Sequence, residues 1–256
     1  PSHWLHLGRP HGVMDGSRAA LSWSGTMFEY LMPNVLYSNP PRSLLGQSCR
    51  AVVHSQIEYG RRKRVPWGIS ESGYYAFDGQ MNYQYRAFGM PGAGLKRGLE
   101  DDLVITPYAS VLALPIAPQA VLSNLEQLAR LKAIGPCGLY EAIDYTPGRL
   151  PIGQPHAIVQ EYMAHHQGMI LLTLDNYLMD EAMIRRALAD PRIQCVELLL
   201  HERIPLKTSA ADLPPRIERP THLQEPQAVI GAWSVPARAA VCDMAAREAA
   251  ALRPPL

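Results

Sequence analysis

Residues 43–78 read SLLGQSCRAVVHSQIEYGRRKRVPWGISESGYYAFD. In the first half, Leu44, Leu45, Ala51, Val52, Ile57 and Tyr59 recur at helical spacing, which predicts a helix over about residues 43–62. Gly60 and the basic run Arg61, Arg62, Lys63 and Arg64 mark its end. The second half has no period and gathers Trp67, Tyr74 and Tyr75 around an acid and four glycines or serines. An apolar helix handing over to an irregular, aromatic and acidic loop is therefore the unit to look for.

That unit recurs in both directions along the chain. Upstream, Met27, Phe28, Leu31, Val35 and Leu36 give a helix from Ser24, with Ser24 or Thr26 as its cap, and residues 1–22 read as loop. Downstream, residues 65–103 are crowded with Gly, Tyr and Pro and form a loop too long to be idle connection. Helical pattern returns over 108–114, 118–133, 158–178, 180–189 and 192–203. Strand-type alternation is scarce, so the expected class is all-α, with function on the loops. A module over 1–205 is expected, then a linker or poorly anchored tail over 206–256 with a short helix near 242–252.

A chain of 256 residues with 47% hydrophobic content can bury a sizeable core. Its 24 basic and 23 acidic residues nearly cancel, which gives no support to a nucleic-acid partner. Cys49, Cys137, Cys195 and Cys242 form no metal-binding or disulfide pattern, and a reducing compartment fits best. No window reaches about 18 uninterrupted apolar residues. The opening PSHWLHLGRP has neither an initiator Met nor a signal-peptide shape, so the chain is expected to be cut from a longer one.

Acidic residues in loops rich in Gly and aromatic side chains suit glycoside chemistry, which needs two carboxylates and aromatic faces for sugars to stack on. Glu71 in PWGISESGYY is flanked by Trp67, Tyr74 and Tyr75, and burial beside Trp67 would raise its pKa as a general acid requires. The alternative is a loop Glu that caps a turn. Glu141 and Asp144 in GLYEAIDY, beside Tyr140, would share a face on a helical turn and hold sugar hydroxyls, or else start a helix as surface charges. Glu29 is an isolated acid in an apolar stripe, with either a site role or a buried ion pair.

In YMAHHQGM, adjacent His165 and His166 diverge on a helix and make no paired metal site, so one is expected to meet a sugar hydroxyl and the other to be a satisfied core residue. Gln167 accompanies them. Tyr83, Gln84 and Tyr85 of YQYRAFGM form either a sugar platform or core filling, and Asp78 either anchors a hydroxyl or caps a helix. Lys96 and Arg97 in GAGLKRG can take an anion, but the pattern is no nucleotide fingerprint. With no GxSxG elbow and no Ser or Cys beside a base, nucleophilic Ser or Cys hydrolysis is not expected.

The blocks LSWSGTMFEYLMP, QIEYGRRKRVPWGISESGYYAFD, YQYRAFGMPGAGLKRGL, DLVITPYAS, GLYEAIDYTP, YMAHHQGM and ELLLHERIP resemble, in order and over about residues 3–205, the glycoamylase-like module of cyclic β-1,2-glucan synthases. The resemblance implies an (α/α)6 toroid, here without its N-terminal helices, with Tyr108 and the other loop residues along a β-1,2-glucan cleft. It implies ring closure by retaining transglycosylation, with hydrolysis or glucan binding without turnover as alternatives. Glu71 is then the acid/base, with Glu29 and Glu141 as cleft residues that assist. Partner regions in the same parent chain would be a glucosyltransferase and a phosphorylase-like domain, at the cytoplasmic face of an inner membrane. Two carboxylates suffice, so no metal or organic cofactor is expected. The family's SEARL-like upstream segment has no match, and if that segment carries a catalytic carboxylate the chain is expected to be inactive alone.

Overall fold

The computed structural model describes residue 3 and residues 6–203, so the expected tail over 206–256 and its helix near 242–252 lie outside the described residues. The expected helix over 43–62 is α2, Leu44–Lys63; the Ser43 hydroxyl accepts from the Gly46 amide at 3.0 Å, and three basic residues meet the negative end of its dipole. Before it come a hairpin, β1 (His11–Met14) and β2 (Ser17–Ala20), and then α1 (Met27–Leu31), which runs into a 3-10 helix at Met32–Val35. The hairpin replaces the expected loop. Asp15 and Gly16 both take positive φ, as a two-residue turn between twisted strands demands.

The long segment after α2 is also structured. Strands β3 (Ser72–Phe77) and β4 (Tyr83–Arg86) pair antiparallel with Gly73 opposite Tyr85 and Tyr74 opposite Gln84. Asp78 closes their turn by accepting from the amides of Gln80 and Asn82. It is therefore an exposed turn residue and not a helix cap.

Next come β5 (Val104–Ile105), α3 (Pro107–Leu112), α4 (Pro118–Arg130), β6 (Ile134–Gly135), β7 (Gly138–Leu139), β8 (Ala142–Asp144) and β9 (Ala157–Val159). The antiparallel order β5-β8-β9 pairs Ile143 with both Ile105 and Ile158. Helices α5 (Ala164–Leu178), α6 (Ala182–Leu188) and α7 (Pro191–Gln194) complete the described chain, with a 3-10 helix at Glu197–His201. The expected helix over 158–178 thus starts six residues late, because Ala157–Val159 is a buried strand. Helices carry most of the fold, but the all-α expectation is corrected by nine short strands among the described residues.

One core joins Met27, Leu31, Val52, Leu112, Val121 and Met169 from the helices, and a second joins Ile69, Phe88, Ile105, Ala142 and Val159 around the small sheet. Residues 67–71 run between the two. Two buried amides hold that segment as a strand partner would. Gln56 of α2 donates to the Ile69 carbonyl and accepts from its amide, at 2.9 and 2.6 Å, and Asn124 of α4 does the same for Trp67 at 2.9 and 3.0 Å. Gly68, at φ +128, passes so close to the Thr106 carbonyl that a Cβ would lie 2.9 Å from it.

Candidate active site

The clamped segment delivers Glu71 to the start of β3, and Tyr108 fixes it from below: its hydroxyl donates to the Glu71 carbonyl at 3.0 Å and shares a hydrogen bond with the Ser70 hydroxyl at 2.8 Å. Burial raises the Glu71 carboxyl above the ordinary carboxylate range, and the charge of Glu29 pushes the same way against His166 and a hydrogen bond from Tyr85. Because Tyr85 faces Gly73 across the hairpin, its hydroxyl reaches Glu71 two residues earlier on the same face. Burial and these negative neighbours raise the phenol's own pKa.

Beneath Gly73 lies Glu141, 2% exposed. One of its oxygens accepts from the Gly73 amide at 3.1 Å, and both stand 2.9 Å from Nδ1 of His166. The His166 ring, 1% exposed, stacks on Tyr108 with centroids 3.7 Å apart and lies 4.0 Å from the ring of His165. A Cβ on Gly73 would fall 2.7 Å from Oε2 of Glu161 and 3.3 Å from Cγ of Glu141, so only glycine leaves room for both carboxyls there. Burial raises Glu161, and the negative Glu141 beside it adds to the shift. Nε2 of His166 and Oε2 of Glu161 are buried without a hydrogen-bond partner.

Glu71, Tyr85, Glu141 and His166 thus come together in the structure. Burial of His165 and the nearby His166 lower its pKa. Gln167 holds the start of α5 by donating to the Leu139 carbonyl, and Tyr140 packs on Tyr162 at 5.3 Å. Tyr83 stacks on Phe77 at 4.8 Å, while Gln84 points from β4 on the alternate face.

Other expectations are corrected. Trp67 is a core residue, because the Asn124 clamp turns it inward among the helices. Tyr108 is likewise buried under the site. Glu29 completes a capping box with Thr26 and accepts from the Ser22 hydroxyl and the amides of Ser24 and Thr26, which gives the isolated acid a structural partner set.

Asp144 does not share a helical face with Glu141, since Ala142–Asp144 is a strand. Its carboxylate takes the Arg149 guanidinium, at 2.7 Å to Nε, and the amides of Tyr75 and Thr146. Asp102 joins Arg149 and Arg86 to that cluster, and Tyr74 lies under both guanidinium groups. Lys96 and Arg97 are exposed and line a separate cavity of about 260 Å³ with Arg86 and Asp101. A larger cavity of about 520 Å³, lined by Asn34, Cys49, Arg50, Thr173 and Asn176, touches none of the grouped carboxyls.

Glu161 was not singled out by the sequence. Its signal was available: it opens EYMAHHQGM, five residues before the histidine that Glu141 holds.

Residues 2–189 match the family model described as "Putative glucoamylase". Over 203 residues, 79% of its length, the chain is 44% identical to the cyclic beta-(1,2)-glucan synthase NdvB of Rhizobium meliloti (strain 1021), and it spans 7% of that protein. Among solved structures, the endo-beta-1,2-glucanase from Chitinophaga pinensis, in a complex with sophorotriose and glucose, matches 75% of the chain and 46% of its own with a TM-score of 0.55 at 18% identity. The beta-1,2-glucanase from Parabacteroides distasonis matches 74% of the chain and 26% of its own with a TM-score of 0.52 at 16% identity. At these identities the likeness is one of fold.

Proposed function

The chain belongs to the putative glucoamylase family, and on that premise we propose that it acts on β-1,2-glucan, closing rings by retaining transglycosylation as one module of a cyclic β-1,2-glucan synthase. The 44% identity to a synthase of that description supports the substrate. In this reading the helices belong to an (α/α)6 toroid, with the β3–β4 hairpin at its cleft. Glucosyltransferase and phosphorylase-like regions would lie in the same parent chain, at the cytoplasmic face of an inner membrane. No described helix is long and apolar enough to cross that membrane.

The observation that carries the chemistry is Glu71, a carboxyl raised by burial on a segment fixed by Gln56, Asn124 and Tyr108. Protonated, Glu71 gives its hydrogen to the glycosidic oxygen as the bond to C1 breaks, and the carboxylate left behind takes a hydrogen from the incoming hydroxyl. A hydroxyl from the far end of the same glucan closes a ring; water instead gives hydrolysis. Retention further requires a second carboxyl at C1 or a substrate hydroxyl that relays the attack. Glu141 assists by positioning, and Glu29 holds the turn beside Glu71.

Mass analysis after incubation with linear β-1,2-glucan tests this. Products lighter than linear glucans by one water are expected. Shortened linear fragments alone would replace ring closure by hydrolysis, and turnover of α-1,4-glucan alone would overturn the β-1,2 reading.

A further inference from the structure

Two carboxyl side chains crowd the Cα of Gly73, Glu141 from the strand side and Glu161 from the loop that precedes α5, and His166 of α5 meets the first of them. Nδ1 of His166 is engaged by Glu141, so the free end of the imidazole is Nε2. Tyr108 stacked on the ring and Glu141 at its edge leave His166 little freedom to rotate. Glu141 is in turn anchored by the Gly73 amide. The imidazole is held firmly, yet Nε2 has no partner, and neither has Oε2 of Glu161 on the other flank of Glu141.

Leaving a buried polar atom unpaired costs about 1–3 kcal/mol, and both atoms belong to side chains gathered around Glu141. We propose that His166 Nε2 and Glu161 Oε2 form a two-point recognition site for neighbouring hydroxyls of one glucosyl unit, with Glu141 as the positioning residue. This rests on the glucan reading above and adds Glu161 to it as a specificity-determining residue.

Hydroxyls are the fitting chemistry, because each both donates and accepts. One can donate to an unprotonated imidazole nitrogen, and its neighbour can meet Glu161 with or without a proton. A carboxylate ligand would be repelled by Glu141 and Glu161, and an ammonium, which can only donate, would have no use for a donor at the site. Both atoms are closed to solvent, and Tyr85 and His165 are the exposed members of the surrounding ring group, 6.1 and 4.0 Å from the His166 ring. A sugar reaches the two atoms once one of these exposed rings turns aside.

The test is nitrogen-15 NMR of the histidine rings in the full chain, titrated with a linear β-1,2-glucooligosaccharide, beside binding isotherms for Glu161→Ala and Glu161→Gln. The His166 Nε2 resonance is expected to move on binding. Glu161→Ala should weaken affinity about tenfold or more, while Glu161→Gln, which keeps a hydrogen-bonding group in place, should stay within about threefold. An oligosaccharide lacking one ring hydroxyl should bind wild type and Glu161→Ala alike, a readout that a purely structural Glu161 would not give. Binding without movement of the Nε2 resonance and without loss in Glu161→Ala overturns the site and leaves the glucan reading intact. Binding of a differently linked glucan with the Nε2 shift supports the site and overturns the β-1,2 assignment. Absence of binding by every glucan overturns both.

Discussion

Strand β8 has a buried carboxylate at either end, and the two are opposite in kind. Asp144 is saturated: the Arg149 guanidinium and the amides of Tyr75 and Thr146 account for its lone pairs, and a charge so fully matched is a fastener. Glu141, three residues earlier, holds one imidazole and one amide, and around it two polar atoms remain open. Burial alone does not separate these roles, since both residues are almost inaccessible. What separates them is whether the neighbours leave a valence unfilled, and in this fold that happens only on the Glu71 side of the strand among the carboxyls compared.

The largest effect should come from breaking the saturated end. Asp144→Ala leaves Arg149 facing apolar rings with half its ion pair, and is expected to cost about 3 kcal/mol of unfolding free energy in urea melts, with Glu71 chemistry persisting below the melting temperature. A cost near zero would make Asp144 a site residue instead.

Next is Gly73→Ala, which drives a methyl against Glu161 and Glu141. Glucan affinity should fall about tenfold, while melting shifts by about 1–2 kcal/mol, typical of local overpacking.

A smaller effect concerns pH. Glu71 has its folded pKa raised by burial, so the folded state holds the proton longer than the unfolded chain does. Below the ordinary value of 4.5 both states are protonated and nothing is lost; as pH rises through the window up to the raised value, stability falls. Glu71→Gln should therefore match wild type in denaturation midpoint at acid pH and exceed it at neutral pH. A difference that stays constant with pH would contradict the shift. Smallest of all is Asp78→Ala, which removes hydrogen bonds in an exposed turn and should move the melting temperature least and the glucan affinity not at all.

How legible this was in the sequence follows element length. The helices Leu44–Lys63 and Pro118–Arg130 are long enough for a 3.6-residue period to show, and they lie close to where the pattern placed them. Strands of two or three residues, such as Val104–Ile105 and Ala142–Asp144, cannot display alternation, so Glu141 and Asp144 read as a helical turn. Some signals were present and outweighed. The spacing Thr26-x-x-Glu29 is a capping box, and Asp15-Gly16 between short apolar stretches is a hairpin turn. Trp67 looked like a sugar platform because only tertiary contact with Asn124, 57 residues away, turns it inward. Glu161 opens EYMAHHQGM, five residues before His166, but its place over Gly73 is set by tertiary packing, which only the structure displays.

The central claim is that Glu71 transfers the proton in a ring-closing reaction on β-1,2-glucan. The direct measurement compares product formation from linear β-1,2-glucan by wild type and Glu71→Gln, at equal folded fraction. The account predicts cyclic products from wild type and a loss of about a hundredfold or more in the variant. Equal rates of the same products from both would contradict it.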